Sequence, residues 1–185
     1  MPRHWTPGRN RRLDVQLLVE YRSPMPSPAN LRPSLSEHPF ARQLDREQIA
    51  NLEACAEECS FARGHYIWHQ GEPDEDMYLI FSGQVALEIS VPQQGSLQIE
   101  MVGEGDVLGW SCMLPPRPSY FDARAIAPVR ALRLPGVELK ALCERDSALG
   151  YQVYKAFAER VTERLQVARL RLLDLYEPRR KQSVP

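Results

Sequence analysis

The stretch GDVLGWSCMLPPRPSYFDARA, residues 105–125, closes a series of short apolar segments that glycines separate from residue 64 onward. Eight of the ten glycines fall between Gly64 and Gly136, mostly at breaks between apolar runs. Glycine takes positive φ without steric cost, so it punctuates a chain at its turns. Between the breaks the period is two. Val85, Leu87, Ile89 and Val91 alternate with Gln84, Ala86, Glu88 and Ser90. After a turn at Gln94, Gly95 and Ser96, Leu97, Ile99 and Met101 alternate with Gln98, Glu100 and Val102. This alternation predicts antiparallel strands with one apolar face, on which Leu97, Ile99 and Met101 point inward. Met77–Phe81 predicts a fully buried strand, and Ser82-Gly83 the tight turn after it. Tyr120–Ala125 and Val129–Leu134 supply a last pair. The whole predicts seven or eight short strands in a mainly β fold with flanking helices. That fold is a jelly roll, or double-stranded β-helix.

On the N-terminal side, HPFARQLDREQIANLEACAEECSFARG spans residues 38–64. It predicts a helix from about Asp45, which caps it, with Gln48 three residues on as the capping-box partner. Ile49, Leu52, Cys55, Ala56 and Cys59 recur at helical spacing and are expected to form its buried stripe. Beyond Gly136 the period again becomes helical. A short helix is predicted over Val137–Glu144, then a long one capped by Asp146 and running to Tyr176, halted before Pro178. Thirty residues make a rod of roughly 45 Å. Val153, Phe157, Val161, Leu165, Ala168, Leu172 and Leu175 form one stripe along it. A roll is shorter than that stripe. The far half would be bare if the helix only crossed its own roll, so the stripe predicts a homodimer about a two-fold axis.

Composition bounds the rest. A chain of 185 residues, 43% hydrophobic and 25% charged, is an ordinary globular length and balance. Net charge is -1, with no global bias toward nucleic acid or membrane. The distribution is uneven. Residues 1–34 carry six arginines against Asp14 and Glu20, a balance of +4, and the remainder carries -5. The same 34 residues hold six of the sixteen prolines and read as a mostly irregular arm, able to fold back on an acidic body or reach an acidic partner. Four parts follow: the arm 1–34, the roll with flanking helices 35–145, the long helix 146–177, and a basic tail 178–185. No apolar run is long enough to cross a bilayer. Cys55, Cys59, Cys112 and Cys143 show no CxxC pairing. A cytoplasmic location with reduced thiols is expected.

Catalytic signatures are absent. There is no GxxxxGK[ST], GxSxG, HExxH or GxGxxG, so no enzymatic activity is expected. His65 and His69 flank Tyr66, Ile67 and Trp68 on a predicted strand. Four strand residues span about 13 Å, too far for one ion, so these histidines read as structural and no metal is expected. Asp74, Glu75 and Asp76 read as a solvated acidic turn.

The landmarks HPF, GHYIWHQGEPDEDMYLIFSGQVALEI, GEGDVLGW and ARAIAPVRALRLPG, with the long C-terminal helix, resemble the cyclic nucleotide-binding domain of the cyclic AMP receptor protein family over about residues 36–176. The resemblance implies a ligand inside the roll and a long helix that reports it. In that family a short helix N-terminus and an arginine hold the phosphate, and a glutamate holds the ribose. Here Trp110 follows Gly109 where the glutamate belongs, and Ser119 falls at the arginine position, with Arg117 two residues earlier. Losing a charge partner costs a phosphate ligand about 2–5 kcal/mol. The resemblance therefore implies a sensory module without tight cyclic AMP binding.

Candidate ligand contacts are Gly109, Trp110, Ser111, Cys112, Arg117, Ser119 and Arg124, around a nucleotide or other planar anionic ligand. Trp110 either stacks on such a ligand or fills the cavity. Cys112 is a candidate redox thiol near the short helix N-terminus. The leading expectation is a non-enzymatic regulatory domain signalling to a protein partner, with no direct DNA contact from the short tail. One alternative is a structural adaptor, accessory to a multi-subunit redox enzyme, with Trp110 filling the pocket. The other is a transcriptional regulator that acts with a separate DNA-binding chain.

Overall fold

The computed structural model describes residues 33–176 apart from 74, 92, 94, 116 and 117. The arm, the basic tail and Arg117 lie outside the described residues, as does the side chain of Leu175. Eight strands form two four-stranded antiparallel sheets. They are β1 (Glu57–Phe61), β2 (Tyr66–Trp68), β3 (Asp76–Ser82), β4 (Gln84–Val91), β5 (Gly95–Gly103), β6 (Val107–Leu108), β7 (Asp122–Ala125) and β8 (Val129–Pro135). One sheet has the order β1-β8-β3-β6 and the other β2-β7-β4-β5. The helices are α1 (Arg46–Cys55), α2 (Gly136–Arg145) and α3 (Ser147–Tyr176). One-turn 3-10 helices at Leu35–Glu37, Pro39–Gln43 and Trp110–Met113 complete the jelly roll. No helix among the described residues is long and apolar enough to cross a membrane.

Two apolar clusters divide the interior. Trp68, Ile80, Val85, Leu87, Leu108 and Ala123 fill the roll between the sheets. Leu35, Leu52, Met77, Leu139, Leu149 and Val153 pack the helices onto the outer face of the first sheet. The sheet containing β3 and β8 is therefore covered on both sides. This explains the unbroken apolar run at Met77–Phe81, where Met77, Leu79 and Ile80 are all buried.

The helix ends follow the sequence closely. Gln48 N donates to Asp45 Oδ1 at 2.9 Å, and Asp45 N donates to Gln48 Oε1 at 3.1 Å, the reciprocal capping box. Ala148 N and Leu149 N donate to Asp146 Oδ1 at 2.9 and 3.0 Å and start α3. Gln48 Nε2 reaches Asp146 Oδ2 at 3.4 Å and ties the two helix starts together. His38 is buried beside Phe81, with ring centroids 5.2 Å apart, and its Nδ1 accepts from Phe40 N at 3.2 Å. Burial lowers the pKa of that imidazole.

Two elements differ from expectation. The α1 helix stops at Cys55, so Cys59 lies on β1, where it faces the roll and its Sγ donates to Ala131 O at 3.5 Å. Strand β1 pairs with β8, and the register brings Glu57 opposite Arg133 and Glu58 opposite Leu132. The ladder with β8 outweighs one more turn of helix, since it satisfies backbone groups and buries Cys59 together. Strand β5 is turned over. Val102 stands opposite buried Val85 and is itself buried, while Leu97 is exposed and Ile99 and Met101 are half-buried. A bulge between Leu87 and Glu88 resets the register. Pairing with β4, not the alternation within β5, chooses the inward face.

Candidate functional site

The turn into the third 3-10 helix begins at Gly109, whose φ of 81° is left-handed. A Cβ there would run into the Asp76 carbonyl, so both conformation and close approach demand glycine. Glycine at this point lets the next four residues cross the mouth of the roll. Trp110, Cys112 and Met113 turn into the interior.

A cavity of about 200 Å³ lies behind this turn. The roll contributes Trp68, Leu87 and Leu108. The turn contributes Gly109, Trp110 and Ser111, and the following loop contributes Pro118 through Phe121. The long helix closes it with Phe157, Val161 and Arg164. Aromatic faces dominate the wall. Arg164 is the one charged side chain among the described residues that line it.

The candidate contacts separate under this geometry. Gly109, Trp110, Ser111 and Ser119 come together at the cavity. Trp110 is a partition rather than a filling. Its ring lies 6.0 Å from Phe40 and 6.1 Å from Phe157, within the helix-side cluster. Its other border is a second hollow of about 180 Å³ between the Pro39–Gln43 turn and α3. The indole Nε1 is buried without a hydrogen bond.

Ser119 is committed locally. Trp68 Nε1 donates to both Ser119 Oγ and Phe121 O at 3.0 Å, and Ser119 Oγ donates to Phe121 O at 2.9 Å. Its backbone is anchored as well, with Gly71 N donating to Ser119 O at 2.9 Å and Ser119 N to Glu72 O at 2.7 Å. A residue so held orders the cavity wall and has little freedom to follow a ligand.

Arg124 and Cys112 leave the site. On β7, Ala123 and Ala125 face the roll, so Arg124 projects from the opposite face. There Arg124 Nε donates to Glu88 Oε2 at 3.0 Å and Nη2 donates to Glu88 Oε1, with the guanidinium 5.9 Å from the Tyr66 ring. That hydrogen-bonded guanidinium holds the Glu88 carboxyl below its ordinary pKa. Strand alternation decides the matter, because Arg124 could face the cavity only if both flanking alanines faced away. Cys112 is buried against Gly136 at the start of α2, away from the cavity wall. Burial pushes the Cys59 thiol up to about 12 and Cys143 up to about 11. Neither supplies a reactive thiolate.

His65 and His69 sit just outside the ends of β2, and His69 Nδ1 lies 3.2 Å from Asp122 Oδ1. Among the described residues no group of three metal-binding side chains converges. Asp76 is no solvated turn residue. It starts β3, and Arg133 Nη1 donates to its Oδ2 at 2.9 Å. A larger hollow of about 480 Å³ lies at the junction of α1 and α3, beside the capping carboxylates Asp45 and Asp146. No strand residue lines it, and its Asp45, Gln48 and Asp146 side chains serve the helix starts.

Sequence reasoning missed Trp68, Phe121 and Arg164 as cavity residues. It assigned Phe157 and Val161 to a helix stripe without seeing that their N-terminal part closes the roll. Local pattern carries no signal for Arg164, since its place depends on how α3 crosses the sheet.

Residues 58–146 match the family described as "Cyclic nucleotide-binding domain". The chain is 26% identical over 118 residues to a CRP-like cAMP-activated global transcriptional regulator of Mycobacterium tuberculosis, covering 64% of this chain and 53% of that one. It thus spans about half the length of that relative. Among solved structures, the N-terminal domain of a transcriptional regulator from Streptomyces coelicolor is 26% identical, with a TM-score of 0.60 over 71% of this chain and 94% of that one. A cyclic nucleotide-binding domain from Methylobacillus flagellatus gives a TM-score of 0.66 at 22% identity, covering 73% and 76%, a likeness of fold. From β1 through α2, residues 58–146 are similar to the cyclic nucleotide-binding domain family.

Proposed function

We propose that the chain is a non-enzymatic sensory module whose ligand sits in the roll cavity and acts on α3, without tight binding of cyclic AMP. The observation that carries this reading is the shared wall. Phe157, Val161 and Arg164 of the long helix line the same cavity as the Gly109–Ser111 turn and the 118–121 loop. An occupant that favours one arrangement of helix against roll shifts that arrangement's population by its differential affinity. The matched relative, by its own description a cAMP-activated transcriptional regulator, supports a regulatory role of this general kind.

Two features argue against a tightly held cyclic nucleotide. Ser119 stands at the expected arginine position and its hydroxyl is occupied by Trp68 and Phe121. Arg124 is spent on Glu88. A phosphate deprived of its charge partner loses about 2–5 kcal/mol, a factor of tens to thousands. Isothermal calorimetry with cyclic AMP and cyclic GMP tests this. No saturation below roughly 100 µM is the expected result, and micromolar saturation by either overturns it.

The proposed assembly is a homodimer through the outer half of α3, read by a protein partner. Val161, Leu165 and Leu172 of the expected stripe are each about half-exposed, whereas Val153 is buried on the chain's own core and Phe157 packs against it. The adaptor reading draws on the burial of Trp110 between Phe40 and Phe157. Amide exchange across residues 157–164 separates the two. A sensory module changes protection there when its cavity is occupied, and an adaptor does not.

A further inference from the structure

The ion pair between α3 and β5 lies at the cavity and is imperfect. Glu100 stands directly across from Leu87 on β4, and Leu87 lines the cavity, so both project from the inner face of the sheet. Arg164 Nε lies 2.9 Å from Glu100 Oε1, yet it is buried and makes no hydrogen bond. The charges meet at an angle that leaves the N–H group unsatisfied. A guanidinium is a planar fork of donors and is best satisfied by a carboxylate presented in its own plane. Buried and unsatisfied, the Nε–H carries a desolvation cost that a better-placed acceptor would remove.

Size and lining define what could bring that acceptor. Trp68, Trp110, Phe121 and Phe157 offer aromatic faces, with Leu87 and Leu108 between them. The volume of about 200 Å³ is below the roughly 300–1,000 Å³ of sites for drug-sized ligands. An apolar cavity of about 150 Å³ is enough for benzene. The space therefore suits one ring and a small polar substituent, and Arg164 sets that substituent's charge.

We propose that the cavity takes a single-ring aromatic carboxylate, its ring among the aromatic side chains and its carboxylate received by Arg164 in place of Glu100. This rests on the reading of the cavity as the ligand site and names its ligand class. Binding exchanges one ion pair for another. The tie from β5 to α3 is released, and α3 is held by the ligand instead. Arg164 is thus both the specificity residue and the point at which occupancy reaches the helix.

Benzoate and its neutral counterpart benzyl alcohol are the probes, read by tryptophan fluorescence and calorimetry on the full chain at low and high salt. Benzoate is expected to bind at least about tenfold tighter than benzyl alcohol, with the difference shrinking in salt. Arg164→Gln removes the preference but keeps benzyl alcohol binding, which also shows that the variant is folded. Glu100→Gln frees the guanidinium and tightens benzoate severalfold. Equal binding of the two probes, or a preference that survives Arg164→Gln, overturns the assignment to Arg164 and leaves the cavity as a ligand site. If neither probe binds at about 10 mM, the aromatic-carboxylate proposal fails. If, in addition, no ligand alters exchange over 157–164, the sensory reading fails with it.

Discussion

Arg124 shows how one side chain changes meaning with the face it occupies. Read along the chain, Arg124 is a candidate ligand contact at the end of the 105–125 stretch. On β7 it is the partner of Glu88, a carboxylate that is only 5% exposed. Arg124→Ala takes away that carboxylate's charge partner and leaves it the Ser96 hydrogen bond. The expected cost is about 2–3 kcal/mol, below the full range for a buried pair because the guanidinium keeps a third of its surface in water. The pH dependence has a definite sign. The folded pKa of Glu88 is lowered, so the pair adds stability above the ordinary glutamate value of about 4.3 and loses it as pH falls through the lower folded value. Urea unfolding across the acid range should show the parent's advantage over Arg124→Ala largest near neutral pH and shrinking as pH falls through the lowered Glu88 value. A gap between parent and variant that does not change with pH, or no gap at neutral pH, would remove Glu88–Arg124 as a contributor. Gly109 is the opposite case, legible from the sequence because positive φ and a tight turn leave glycine as the one residue that fits.

Element boundaries were legible where the signal was local. The Asp45–Gln48 box and the Asp146 cap set the starts of α1 and α3 through hydrogen bonds spanning three residues. Asp45→Ala is expected to lower stability by about 1 kcal/mol in denaturant titration, with Asp45→Asn close to neutral. An unchanged midpoint in Asp45→Ala would mean that packing alone sets the start of α1. The end of α1 and the inward face of β5 were not legible. Both depend on distant strands: β8 captures Glu57–Phe61, and β4 presents Val85 to Val102. Alternation within a strand defines two faces but does not label them. In β5 both faces carry apolar residues, so the label came from the partner.

Across the whole molecule, α3 does two jobs along its length. Its first turns bury Leu149 and Val153 and close the roll with Phe157 and Val161. Arg160 Nη2 donates to Asp106 Oδ1 at 2.6 Å, and Arg164 meets Glu100, so two ion pairs bind the helix to the roll. Beyond them Leu165, Leu170, Leu172 and Leu173 are all about half-exposed or more. An apolar ridge of this length is expected to be covered. Leu165→Glu combined with Leu172→Glu should convert a dimer to a monomer in sedimentation velocity while leaving the roll's melting little changed. A parent chain that sediments as a monomer at 50 µM, a concentration about fifty times a 1 µM Kd, would remove the dimer.

From the sequence alone came the β-roll, the glycine turns, the helix caps and the resemblance over residues 36–176. These rest on short-range chemistry: the period of apolar residues, the φ that only glycine takes freely, and hydrogen bonds within one turn. Tertiary structure decided that Arg124 pairs outward with Glu88, that Trp110 divides two hollows, and that Arg164 reaches the cavity beside Glu100. Those outcomes depend on which strand faces which and where a long helix crosses a sheet. Residues 64 positions apart, such as Glu100 and Arg164, meet only after both questions are answered.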